Sequence, residues 1–243
     1  MSSHNATVAK FAISEANCVT PMSQLWFSPE DFESYRLLAD EMRSGTRRHA
    51  RTVLFVGPPE TGKRTLAHTI ARYAECFSLG GDPPCGQCNP CRAPWFTPEV
   101  ALTNVAFNTW SSGRITGPLL TKEGLKAFQK RFDKKSRRAV AVVDGVDLIS
   151  SELQTTVAEC VAWKSVRWLC TAESESPISH DLLNSFDLIV TIQPPGVDVV
   201  TAALSSYLRQ RGRTHRPSDV EDTARKCTYP GEAIGAWERA HPL

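Results

Sequence analysis

The stretch Thr52-Val53-Leu54-Phe55-Val56-Gly57-Pro58-Pro59-Glu60-Thr61-Gly62-Lys63-Arg64-Thr65-Leu66 decides the fold. An apolar run, Val53–Val56, breaks at Gly57 into the pattern Gly-x-x-x-x-Gly-Lys. Leu66, Ile70, Tyr73, Ala74 and Phe77 then follow at helical spacing. Strand, glycine loop and helix in this order are the context that a phosphate-binding loop requires. Backbone N–H groups of such a loop wrap a phosphate at a helix N-terminus, where unpaired donors and the helix dipole favour an anion. Gly57, Pro58, Thr61, Gly62, Lys63, Arg64 and Thr65 are therefore the candidate residues for ATP or ADP, with Lys63 a point charge on the β- and γ-phosphates. One position departs from the pattern. A Ser or Thr after the lysine would offer its hydroxyl to Mg²⁺, and here that residue is Arg64. Thr65 comes one residue late, about 100° further round the helix. The departure weighs against metal-assisted hydrolysis and leaves phosphate binding intact.

Directly beyond this helix, Cys76, Cys85, Cys88 and Cys91 are spaced C-x8-C-x2-C-x2-C. Short CxxC steps let consecutive thiolates reach one tetrahedral ion, and Gly86 and Pro90 suit the tight turns between them. Four cysteines leave no open ligand position, so Zn²⁺ here is expected to be structural. The remaining four of the eight cysteines are scattered along the chain and carry no assigned role.

Outward from the loop, short β-rich runs alternate with helical stretches: Val53–Val56, Val100–Phe107, Ala139–Val143, Val166–Cys170 and Leu188–Ile192. Ala139–Val143 and Leu188–Ile192 are continuously apolar, as expected of strands covered on both faces. The alternation predicts a doubly wound α/β fold. Before it, Phe32, Tyr35, Leu38 and Met42 mark an amphipathic helix over 29–43. After Pro194-Pro195-Gly196 the strands stop. Residues 198–209 read as a helix through Val200, Leu204, Tyr207 and Leu208, a capping box of Ser218 with Glu221 opens a second, and Gly231–Ala240 forms a third. The expected division is an N-terminal extension over 1–20, a P-loop domain over 21–194 with its zinc module at 76–91, and a helical domain over 195–243.

A chain of 243 residues with 41% hydrophobic and 22% charged residues can bury a sizeable core, and its net charge of +2 argues neither for nor against nucleic acid. No apolar run approaches the roughly 20 residues of a membrane span, and the N-terminus lacks the features of a signal peptide. A cytoplasmic location with no membrane partner is the expectation, and under its reducing conditions clustered cysteines are better explained by metal than by disulfides.

The series His49-Ala50, Val53–Gly57, Gly62-Lys63-Arg64-Thr65-Leu66-Ala67 and the four-cysteine module resembles the AAA+ subunits of bacterial DNA polymerase III clamp loaders, the delta-prime subunit most of all. The resemblance is strong over 49–93, and the zinc insertion behind the P-loop helix is its specific part. It implies a five-stranded parallel AAA+ sheet followed by a helical lid. It also implies other clamp-loader subunits, a sliding clamp or DNA polymerase complex and the DNA backbone as partners, in a hetero-oligomer. Leu243 falls where the lid is expected to finish, so the collar domain of full-length relatives is expected to be missing.

The resemblance also assigns the remaining ATPase positions. Asp144, closing the apolar run Ala139–Val143, stands at the Walker B position that helps hold Mg²⁺; an acidic turn capping a strand has the same pattern. The glutamate expected next is Gly145, and Asp147 lies two residues on. Thr171 stands at the sensor 1 position, where an ordinary β-branched strand end is the other explanation. The stretch Leu183–Leu188, where a finger arginine is expected, has none, and neither has Tyr229-Pro230-Gly231-Glu232-Ala233 at the sensor 2 position. Four altered positions together predict a structural or regulatory subunit with weak or no ATP hydrolysis. The alternatives are a DNA-stimulated ATPase in which Thr65 and Asp147 fill the vacant roles, and a collarless adaptor binding a partner replication complex. Basic sets at 122–138, at Arg209, Arg211, Arg213 and Arg216, and at Arg47, Arg48 and Arg51 could track a duplex backbone; a solvated helix face has the same pattern.

Overall fold

The computed structural model describes residues 29–44, 51–78, 83–88, 91, 107–111, 139–162 and 166–242. Helix α1 (Pro29–Ser44) leads to β1 (Thr52–Val56) and then to α2 (Lys63–Glu75). Next come β2 (Phe107–Ser111), β3 (Ala139–Asp144), α3 (Ser151–Val161), β4 (Val166–Ala172), α4 (His180–Asn184) and β5 (Leu188–Thr191). Three helices follow, α5 (Val197–Gln210), α6 (Pro217–Arg225) and α7 (Pro230–Ala240).

The sheet is parallel throughout, in the order β2-β3-β4-β1-β5. Its body is β3, β4, β1 and β5; β2 joins at one side by backbone pairing, with Phe107 opposite Val140 and Ser111 opposite Asp144. Strand alternation sends neighbouring side chains to opposite faces. Val53, Phe55, Val140, Val142 and Leu169 pack under α1 and α2, against Tyr35, Met42, Leu66 and Ile70. Leu54, Val56, Ala141, Val143, Trp168 and Cys170 pack under α3 and α4, against Val157, Cys160 and Leu182. Burying each large apolar side chain stabilises by about 1.5–3 kcal/mol, and Trp168, Phe55, Leu54 and Leu169 are all fully buried. The two-sided burial that the alternation of strands and helices predicts is what these clusters form.

Local differences from the sequence expectations have local causes. The apolar run Val100–Phe107 predicts a strand, but the paired backbone runs from Phe107 to Ser111, and residues 100–106 lie outside the described ones. An outer strand needs backbone partners on one side only, so it need not be apolar. Likewise β5, expected to be covered on both faces, is the outer strand beside β1, with Leu188 39% and Ile189 38% exposed. Phe77, expected on the core face of α2, lies past the helix end and is 68% exposed. The capping box of Ser218 and Glu221 does not form. Helix α6 starts two residues earlier than that box requires, at Pro217, with Arg216 at the N-cap, because proline arrives with its φ already helical. Ser218 bonds instead to Asp219 at 3.2 Å, and Glu221 pairs with Arg225 at 2.6 Å.

Helices α5, α6 and α7 have their own apolar cluster of Val200, Leu204, Tyr207, Leu208, Val220, Ala224, Ala233 and Trp237. The Tyr207 hydroxyl donates to the Glu238 carboxylate across this bundle. Among the described residues no helix is long and apolar enough to cross a membrane.

Candidate functional site

In a parallel sheet ligands collect at the carboxyl ends of the strands, and here β4 lies between β1 and β3. Its end touches both neighbours: the Gly57 amide donates to the Ala172 carbonyl at 3.2 Å and the Gly145 amide to the Thr171 carbonyl at 3.0 Å. The phosphate loop, Asp144 and Thr171, spread over more than a hundred residues of the chain, are thereby brought to one place.

The loop is shaped by two glycines used for different reasons. A Cβ on Gly57 would stand 2.3 Å from the Ile192 carbonyl oxygen, so only glycine lets β1 leave the sheet beside the end of β5. Gly62 has open space around it and is needed for its conformation, φ +83° at the N-cap of α2. Among the described residues no side chain caps this helix end, as suits a terminus whose amides can receive an anion. Thr61 turns inward and its hydroxyl donates to the Pro58 carbonyl at 2.9 Å. Lys63 is folded back on the loop. Its ammonium donates to the Gly57 carbonyl at 2.7 Å and the Pro58 carbonyl at 2.5 Å, and lies 3.4 Å from the Thr61 hydroxyl. Burial pushes the Lys63 ammonium below its ordinary value, and the carboxylates of Glu173, Asp144 and Asp147 pull it back up. Thr65 is half-buried on the first turn of α2.

Arg64 and Asp144 meet across the site. The Arg64 guanidinium lies 3.4 Å from Asp144 Oδ2. The other carboxylate oxygen, Oδ1, accepts from the Thr171 hydroxyl, which itself accepts from the Gly145 amide at 3.1 Å. Thr171 is 2% exposed, so its side chain bridges the ends of β3 and β4. Gly145 contributes only backbone there, at φ +74°. Asp147 turns back toward the site through a short 3₁₀ turn (Val146–Leu148), and its Oδ2 accepts from the Glu173 amide at 2.9 Å. Its Oδ1 is buried with no hydrogen-bond partner among the described residues.

Mg²⁺ does not fit this arrangement. A P-loop metal is held between the hydroxyl after the lysine and the Walker B carboxylate. The first is replaced by Arg64, and both oxygens of the second already have partners.

The cysteine module fits a single tetrahedral ion. Cys76, at the C-cap of α2, joins Cys85, Cys88 and Cys91 so that all four sulfurs lie within 4.8 Å of one another. Cys85 and Cys91 are 4.0 Å apart, as are Cys76 and Cys88. Tetrahedral Zn²⁺ with Zn–S bonds of ~2.3 Å requires sulfurs ~3.8 Å apart. Backbone amides of Gln87 and Cys88 lower the Cys85 thiol to about 6, whereas burial raises Cys76 and Cys91. Gly86 turns at φ +70° between the first two knuckle cysteines.

Two features lie outside the sequence-level list of candidates. Glu173, one residue past β4, faces Lys63 electrostatically; its place just beyond a strand's carboxyl end is the signal that could have found it. His68 and Arg72 are the second, continuing from the candidate Arg64 as an i, i+4, i+8 stripe on α2 between the two sites. His68 is fully buried, and burial, then Arg64 and Arg72, hold it neutral, well below the ordinary histidine value. Arg72 is 2% exposed, lowered to about 10 by burial and pulled back by Cys91.

The remaining expectations are placed as follows. Leu183–Leu188 spans the end of α4 into β5, where Asp187 accepts from the Arg51 and Thr52 amides at 2.7 and 3.0 Å and so ties β5 to β1. Tyr229–Ala233 opens α7, and Glu232 accepts from the Thr228 amide at 2.8 Å. The basic run at 122–138 and Arg47 and Arg48 lie outside the described residues, as does the extension over 1–20.

Sheet order and phosphate loop together define a P-loop α/β domain of the AAA+ fold. Solved structures with this arrangement include the RuvB Holliday junction branch migration motor of Thermotoga maritima, at 16% identity and TM-score 0.63, covering 88% of this chain and 61% of that one. A point mutant of the same RuvB aligns at 14% identity and TM-score 0.65, covering 90% and 64%. PCH-2 of C. elegans aligns at 15% identity and TM-score 0.58, covering 89% and 64%. The chain thus spans about three fifths of the length of these proteins, and at such identities the likeness is one of fold. No protein-family model matches the chain, and no curated protein matches it in sequence.

Proposed function

We propose that this chain is a clamp-loader-type AAA+ subunit, delta-prime-like, that serves a DNA replication assembly as a structural or regulatory member rather than as its motor. A nucleoside phosphate binds statically through Gly57–Lys63, and Zn²⁺ folds the cysteine module against the end of α2. The observation that carries the non-motor role is the Arg64–Asp144 ion pair, which stands where a hydrolysing P-loop keeps its metal. Gly145 supports it, since no carboxylate follows Asp144 to orient a water. The cysteine cluster seated on the C-cap of the P-loop helix supports the clamp-loader affinity.

One observation favours a second role. The partnerless Asp147 Oδ1, buried near Lys63, is a carboxylate that could orient water in a DNA-stimulated ATPase. Mixing the purified chain with the AAA+ subunits of a bacterial clamp loader and measuring particle mass tests the assembly role. A hetero-oligomer containing this chain is expected. A chain that stays monomeric in every mixture contradicts the subunit role and favours a stand-alone adaptor.

A further inference from the structure

Resting on the phosphate-binding role just proposed, we infer that the site takes its nucleotide without a divalent cation, the Arg64 guanidinium lying anchored on Asp144 where the metal would otherwise be. The inference starts from position. Arg64 is the first residue after Lys63, on the first turn of α2, where a metal-binding loop places its hydroxyl. Its side chain crosses to the end of β3 and meets Asp144 Oδ2 at 3.4 Å. A positive group on that carboxylate occupies both the electrostatic role and the space of the ion.

The other oxygen of the same carboxylate is engaged as well. Asp144 Oδ1 is held by Thr171, and Thr171 is fixed in turn by the Gly145 amide. A metal binding Asp144 through Oδ2 would have to displace the guanidinium, binding through both oxygens would displace the buried Thr171 hydroxyl as well, and neither would gain a hydroxyl ligand from residue 64. Arg64 is two-thirds buried and Asp144 more so, with side-chain exposures of 33% and 21%, so the pair is shielded from the screening that weakens exposed ion pairs. Guanidinium is also a natural phosphate partner, planar and permanently charged. When a phosphate enters, Lys63 exchanges its loop carbonyls for phosphate oxygens, and Arg64 contributes a second cation from the same helix turn. The cationic contacts to the anion then come from residues of the chain, Lys63 and Arg64, beside the loop amides.

The test is calorimetric titration of ADP into the full chain. One buffer contains magnesium, and the other has been stripped of divalent cations by chelating resin before protein is added, so that the cysteine-bound metal is not withdrawn. The expected result is a dissociation constant that changes by no more than about threefold between the two buffers. Arg64→Thr, which restores the hydroxyl, is expected to bind about tenfold more tightly with magnesium than without it. The wild-type comparison needs no variant, so it stands even if Arg64→Thr folds poorly. Wild-type binding that requires magnesium overturns the inference and leaves the phosphate-binding role standing. No ADP binding in either buffer overturns that role and the inference with it.

Discussion

Gly57→Ala is the sharpest structural perturbation of the site. Position 57 does not need a left-handed backbone, so the penalty comes from space alone. The new methyl carbon would stand 2.3 Å from the Ile192 carbonyl oxygen and 3.3 Å from its carbon. Ordinary contact therefore requires loop and strand end to part by about 1 Å. The same residue holds β5 to β1, since the Ile192 amide donates to the Val56 carbonyl at 2.7 Å and its side chain is 2% exposed. Overpacking of this kind costs ~1–3 kcal/mol, and loosening the adjoining backbone bond adds ~0.5–1.5 kcal/mol. A destabilisation of about 2–4 kcal/mol follows, or roughly 4–16 °C in melting temperature for a chain of this size. Thermal unfolding followed by circular dichroism, with zinc present, measures it. Gly62→Ala is the control: nothing crowds its Cβ, and its left-handed backbone costs only ~1–2 kcal/mol. A Gly57→Ala chain melting within about 1 °C of wild type, or above Gly62→Ala, would refute the packing of the loop against β5.

Three further outcomes follow from the same structure. Metal analysis should find one zinc per chain, lost in Cys88→Ser, and the metal-free chain should be the less stable because the cluster closes the end of α2. His68 is neutral when folded and protonates readily only when unfolded, so the unfolded chain binds more protons below the ordinary value of 6.5. Stability is then fully present above that value and falls as pH drops below it, by up to ~1.4 kcal/mol per pH unit from this group. Denaturant titrations at about pH 7.5 and pH 5.5 would show no such loss if His68 were solvated. Trp168→Ala should cost ~3–5 kcal/mol by chemical denaturation, because the side chain is fully buried at the centre of the sheet; a loss below about 1 kcal/mol would contradict that placement.

Much of this fold is legible in the sequence because its strongest signals are local. Val53–Val56, the glycine loop and the spacing of Leu66, Ile70 and Tyr73 are contiguous, and the structure forms β1, the loop and α2 from them. The cysteine spacing is equally local, and the four sulfurs do gather. Lateral position in the sheet is not local. The apolar run that became β5 looks like any covered strand, and only its neighbours make it an outer one. Pro217 displaced the expected cap because a proline's fixed φ outweighs a weak hydroxyl signal. The contact that changes the meaning of the site joins residues 64 and 144, eighty positions apart, and no pattern within either segment announces it. Arg64 as a missing hydroxyl was visible in the sequence; Arg64 as the partner of Asp144 was not.

The central claim, a phosphate cradle without a hydrolytic metal centre, is tested most directly by steady-state phosphate release from ATP with magnesium and primed DNA present. The account predicts release no faster than from buffer alone, with Lys63→Ala indistinguishable from the wild-type chain. Turnover of about one per second, abolished by Lys63→Ala, would contradict it.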